Sequence, residues 1–100
     1  MKETDLQKKC LRWCRDQEKN GYPIVAVNQH GSAFASRGVS DILLNVNSKF
    51  VAIELKVGKN KPTELQTHFI ERIQRAKGLT YVVYDYESFK TIIKEILDYE

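Results

Sequence analysis

Apolar positions recur at helical intervals through the first twenty residues, where Leu6, Cys10, Trp13 and Cys14 share one side and Lys8, Lys9, Arg12 and Arg15 interrupt them. The spacing predicts an amphipathic helix with a basic side over residues 4 to about 20. Thr4 followed three positions later by Gln7 has capping-box spacing, and Asn20-Gly21 is a stop signal. Beyond Pro23, the apolar run Ile24, Val25, Ala26, Val27 predicts a short strand. Residues 28–38 (NQHGSAFASRG) carry glycine, serine and basic side chains without periodicity, which predicts a mobile loop.

Two strand-like runs follow, 41–46 and 50–57, joined through Asn47, Ser48 and Lys49 as a hairpin. Pro62-Thr63 opens a second helix, with Thr63 and Gln66 at capping-box spacing and Leu65, Phe69, Ile73 and Ala76 as its inward stripe. Gly78 ends it. Residues 80–84 (TYVVY) are β-branched and aromatic and predict a strand. Asp85 is placed to cap a last helix that buries Phe89, Ile92, Ile93 and Ile96. The order is α-β-β-β-α-β-α, an α/β pattern in one domain spanning 1–100, without repeats or linkers.

Side chains alternate between faces along a strand, so Val51, Ile53 and Leu55 share one face while Glu54 and Lys56 occupy the other. In the preceding run Ile42, Leu44 and Val46 share a face, which leaves Asp41 opposite them. The hydrophobic faces of a half-buried hairpin must coincide, and this puts Asp41 on the side of Glu54 and Lys56. A two-residue turn at Asn47-Ser48 pairs Ile42 with Ile53 and Leu44 with Val51, and sets Asp41 across from Glu54; a four-residue loop sets it across from Lys56. In the first register two carboxylates face each other, which is destabilising unless something compensates.

Composition bounds the rest. One hundred residues, 42% hydrophobic and 29% charged with both signs mixed, suit a single folded core and exclude a disordered tail. The formal charge of +3 is compatible with a polyanionic partner and by itself decides little. Cys10 and Cys14, the two cysteines, sit one helical turn apart without a further Cys to complete a zinc site, so buried thiols in a reducing compartment are expected. No run approaches the ~20 apolar residues of a membrane span, and the N-terminus lacks the apolar run of a signal peptide, so an intracellular location is expected.

A divalent cation between Asp41 and Glu54 is the natural compensation, since hard cations take carboxylate oxygens with phosphate and water, and a backbone carbonyl near Leu55 would add a ligand. Lys56 would then stand beside the metal and over a bound phosphate, which meets the needs of phosphodiester hydrolysis: an activated water, a polarised phosphate and a cation for the developing charge. An isolated E-x-K on a strand is ordinarily an exposed ion pair. The shared face with Asp41 is what favours chemistry.

Gly38-Val39-Ser40-Asp41, Val51-Ala52-Ile53-Glu54-Leu55-Lys56 and Thr63-Glu64-Leu65-Gln66 resemble the G-x-x-D, E-x-K and Q motifs of the VRR-NUC family, the virus-type replication and repair nucleases of the PD-(D/E)XK superfamily. The resemblance covers most of the chain. It implies a restriction-endonuclease-like core, α-β-β-β-α-β plus a C-terminal helix, with a mixed sheet flanked by helices. Asp41 and Glu54 would bind Mg²⁺ or Mn²⁺, Lys56 would assist catalysis, Gln66 would support the site from the following helix, and Glu3 matches a glutamate near the start of the family's first helix. Ser40 stands where the superfamily's name motif has proline. Stand-alone members of this size resemble phage-encoded nucleases, at home in a bacterial or host cytoplasm, and the family is associated with branched DNA, including four-way junctions cut by homodimers.

Beside this triad, His30, Arg37 and Ser40 around the loop, and Lys59 and Lys61 after the Glu54 strand, are candidate contacts to DNA phosphates. Arg72, Arg75 and Lys77 are expected on a solvated helix face, Trp13 and Phe69 in the core, and His68 in a structural place. Two other functions compete: a non-catalytic DNA-binding module of the same fold, and a nuclease acting on linear duplex in restriction or strand processing.

Overall fold

The computed structural model describes residues 2–29 and 38–98. Its elements run α1 (Glu3–Lys19), β1 (Ile24–Asn28), β2 (Ile42–Val46), β3 (Lys49–Leu55), α2 (Glu64–Arg75), β4 (Leu79–Val83) and α3 (Tyr86–Asp98). This is the expected order, with strand ends displaced by one or two residues. The expected loop at 28–38 falls largely outside the described residues.

The strands form one mixed sheet in the order β1-β2-β3-β4, antiparallel through β3 and parallel between β3 and β4. Asn47 and Ser48 both adopt left-handed backbone, φ 50° and 71°, as a two-residue hairpin turn requires. The register is therefore Ile42 to Ile53, Leu44 to Val51 and Val46 to Lys49. Of the two hairpin alternatives, the short turn is the one adopted.

One face of the sheet is the core. Ile42, Leu44, Val46, Val51, Ile53 and Leu55 are buried there under Leu6, Cys10 and Cys14 of α1 and Phe89, Ile93 and Ile96 of α3. Trp13 meets Phe89 edge to face at 6.1 Å between ring centres, joining the two helices. Burial pushes both thiols up to about 12, so Cys10 and Cys14 are packed as neutral side chains.

Two helix expectations need correction. The N-cap of α1 is Lys2, whose backbone N–H donates to Asp5 Oδ2, and not Thr4. Asp5 closes that turn, which releases Gln7 for a contact elsewhere and puts Glu3 inside the helix. The stripe of α2 is not buried either: Leu65 is 51% exposed, Ala76 is exposed, and Phe69 and Ile73 are half-buried. The reason lies beneath the helix. It covers the second face of β3 and β4, where Glu54 and Thr80 stand, and Gln74 Nε2 donates to Thr80 Oγ1 at 2.9 Å.

Candidate active site

Every residue of β3 from Val51 to Leu55 is buried, and Lys56 after it is 8% exposed. The strand is flanked on both edges and covered on both faces, so Glu54 and Lys56 do not lie on an open strand surface. Glu54 has no exposure at all. Its Oε2 accepts from Gln66 Nε2 at 2.9 Å and lies 3.8 Å from Lys56 Nζ. Its Oε1 is buried and has no hydrogen-bond partner among the described residues.

Continuing the hairpin register by one pair puts Asp41 opposite Glu54, and the two carboxyls come within hydrogen-bonding range of each other. Burial, then the hydrogen bond to Asp41 and its charge, push Glu54 up to about 8, with Glu3 adding to the rise and Lys56 opposing it. A lysine at 3.8 Å would ordinarily lower a carboxyl. Here desolvation and a second carboxylate outweigh it.

Asp41 is held from three directions. Its Oδ2 accepts from the backbone N–H of Leu55 at 2.8 Å. Its carbonyl accepts from the N–H of Gln29 at 2.8 Å and from Gln7 Nε2 of α1 at 3.1 Å. Gln7 was not among the candidates, because Thr4-x-x-Gln7 imitates a capping box; the structure shows that its amide instead ties α1 to the start of β2. Gly38 adds a further constraint. With φ +82°, a Cβ there would lie 2.4 Å from the Leu65 carbonyl oxygen, so glycine alone lets this segment approach the first turn of α2.

Gln66 has two functions at once. Its Oε1 accepts from the Thr63 N–H at 2.8 Å, its N–H donates to Thr63 Oγ1 at 3.2 Å, and its Nε2 is left for Glu54. The cap thus fixes the rotamer that reaches the carboxylate. Glu3, in the first turn of α1, is half-buried and close enough to act on Glu54 electrostatically.

The outlying candidates divide. Lys59 and Lys61 are exposed on the segment between β3 and α2, which Tyr84 fastens by donating from its hydroxyl to the Asn60 carbonyl at 2.9 Å. His30 and Arg37 lie outside the described residues. Ser40, like Glu54, has no exposure, and its Oγ is buried without a hydrogen-bond partner among the described residues. His68, expected in a structural place, is exposed, as are Arg72, Arg75 and Lys77.

The donor set suits a hard divalent cation. Glu54 Oε1 has no donor, Asp41 has one oxygen beyond that taken by Leu55, and the Leu55 carbonyl points to the same strand edge as its N–H, toward Asp41. The described residues contain no group of three or more His, Cys, Asp or Glu side chains arranged for a metal, so remaining ligands would be backbone, water and phosphate oxygens.

No family model matches the chain and no curated protein matches it. Among solved structures it is similar to one described as a "VRR_NUC domain", with 17% identity, a TM-score of 0.71, and coverage of 98% of this chain and 97% of that one. The chain has the fold of a VRR-NUC domain. Within that fold, Asp41 stands just before β2, β3 carries Glu54 and the Leu55 backbone, with Lys56 just beyond its end, and the first turn of α2 carries Gln66.

Proposed function

We propose that this protein is a VRR-NUC nuclease that hydrolyses DNA phosphodiester bonds with Mg²⁺ or Mn²⁺ at Asp41, Glu54 and the Leu55 carbonyl. The observation that carries the reading is Glu54: a buried carboxylate with one oxygen lacking any donor, pressed against a second carboxyl, with a nearly buried lysine at 3.8 Å. Such a pair is costly as pure structure, and perturbed acids of this kind concentrate where they do chemistry. A bound divalent cation would neutralise the two acids, polarise the scissile phosphate and make water a nucleophile near neutral pH.

The chain's own side chains supply the rest. Gln66 orients the Glu54 carboxylate and leaves Oε1 available, while the Leu55 N–H fixes Asp41. Lys56, held beside Glu54, places an ammonium where a pentacovalent phosphate gathers negative charge, or orients the attacking water. Glu3 and Gln7 support the site from α1. Lys59 and Lys61 hold phosphates beside the cut, with His30 and Arg37 as further phosphate contacts.

The substrate is branched DNA, four-way junctions included, and a symmetric dimer presents two active sites to the two strands to be cut; one domain of this size has little surface for several duplex arms. The protein works inside the cell, bacterial or host. No described helix is long and apolar enough to cross a membrane.

The test is cleavage of matched four-way, flap and linear DNAs with Mg²⁺ or Mn²⁺, beside Glu54→Ala and Lys56→Ala variants. The reading expects metal-dependent cutting that both substitutions abolish. Binding without cutting would make the chain a DNA-binding module, and equal cutting of linear and branched DNA would remove the structural selectivity.

A further inference from the structure

We propose that the outer face of α1 is a second DNA contact, a phosphate track that receives the duplex arm leading away from the cut. The inference rests on the DNA reading of the active site and adds a surface to it. At 100° per residue, Lys8, Arg12, Arg15 and Lys19 fall within a sector of about 60° that contains no acid. All four are exposed. With Leu11, Asp16 and Asn28 they line a groove of about 340 Å³ between the helix and the end of β1.

Charge and continuity select the occupant. Four cations against the single carboxylate of Asp16 give the groove a local formal excess of +3, which favours a polyanion. No ion pair to any of the four is found among the described residues. Lys9, one residue from Lys8, is turned aside over the Tyr86 ring at 4.4 Å and belongs to the opposite border. From Lys8 to Lys19 the row runs about 16 Å along the helix axis, long enough to meet several phosphates of one strand at about 3.4 Å of duplex axis each.

The track begins at the active site. Gln7, immediately before Lys8, donates to the Asp41 carbonyl, and Gln29, immediately after Asn28, donates to the same atom. A duplex whose scissile phosphate lies at Asp41 and Glu54 can therefore extend along α1.

The experiment compares the wild type, a triple variant Arg12→Gln, Arg15→Gln, Lys19→Gln, and a control triple at the C-terminal end of α2 and just beyond it, Arg72→Gln, Arg75→Gln, Lys77→Gln. Binding to a 30-base-pair duplex is read by fluorescence anisotropy in EDTA from 50 to 200 mM salt, with circular dichroism to confirm folding. The stripe variant should bind about tenfold more weakly, with the slope of log affinity against log salt reduced by about 2 to 3, while the control retains wild-type values. Unchanged affinity in the stripe variant, or an equal loss in the control, overturns the track. Wild-type binding to phosphatidylserine vesicles but not to duplex does the same. Cleavage of a four-way junction by the wild type with Mn²⁺ separates the two levels: if it cuts the junction while the stripe variant binds the duplex normally, only the track fails; if it neither binds the duplex nor cuts the junction, the nuclease reading fails and takes the track with it.

Discussion

Glu54 is protonated more readily in the folded chain than in the unfolded one, about 8 against 4.5, and this has a signed consequence. Between those values the unfolded state binds fewer protons, so without metal the stability due to this group is full below about pH 4.5 and is lost as pH rises through 8. Thermal melts in EDTA should show that decline, and Glu54→Gln should flatten it. A cation reverses the preference by favouring the carboxylate, so metal affinity should rise by about tenfold per pH unit from 6 to 8, with release of close to one proton per metal bound by calorimetry. Lys56→Ala should lower kcat by about 10²- to 10³-fold with little change in melting temperature, because its partner Glu54 can remain neutral. Gln7→Ala tests a residue two contacts from the reaction. It should cut kcat/KM by about tenfold through a displaced Asp41, while Gln7→Glu, which keeps length but loses the donor, should not rescue it.

Among elements, α2 contributes geometry more than core. None of its side chains is fully buried, so its first turn depends on the Thr63 cap, and Thr63→Ala should cost about 1 kcal/mol, or about 4 to 8 °C in melting temperature. Activity should fall further than stability accounts for, since Gln66 loses the hydroxyl that anchors its backbone. Two left-handed glycines give a contrast. Gly21 has φ +94° and open space, whereas Gly38 has φ +82° and the Leu65 carbonyl against it. Gly21→Ala should destabilise by about 1 kcal/mol of backbone strain and leave cleavage intact; Gly38→Ala should cost about 1–3 kcal/mol and also activity, because Asp41 follows three residues later.

For the molecule as a whole, Asp41 just before β2 and Glu54 of β3 come together only in the native state, so on the proposed reading metal binds that state alone. Mn²⁺ or Mg²⁺ should raise the melting temperature of the wild type, by the equivalent of about 2.7 kcal/mol at a hundred times Kd, and should leave Asp41→Ala unmoved. Light scattering should give twice the mass of one chain; a monomer at every concentration that still resolves junctions would remove the dimer.

The sequence by itself determined the element order, the inward faces of α1, β2, β3 and α3, and the side shared by Asp41, Glu54 and Lys56. These follow from local periodicity and from the rule that apolar faces coincide, which need no long-range information. It also contained the two-residue turn, although a choice between two registers remained until both Asn47 and Ser48 were seen in left-handed backbone. Only the tertiary structure decided what surrounds that side. Glu54 became a fully buried acid because α2 lies over a strand already flanked on both edges, and no pattern within β3 reveals which helix covers its second face. Gln7 was hidden by a cap spacing that Asp5 in fact fulfils, the stripe of α2 stayed half-exposed because polar side chains lie beneath it, and Ser40 went inside. Each of these depends on which distant segment arrives opposite a side chain, and packing alone settles that.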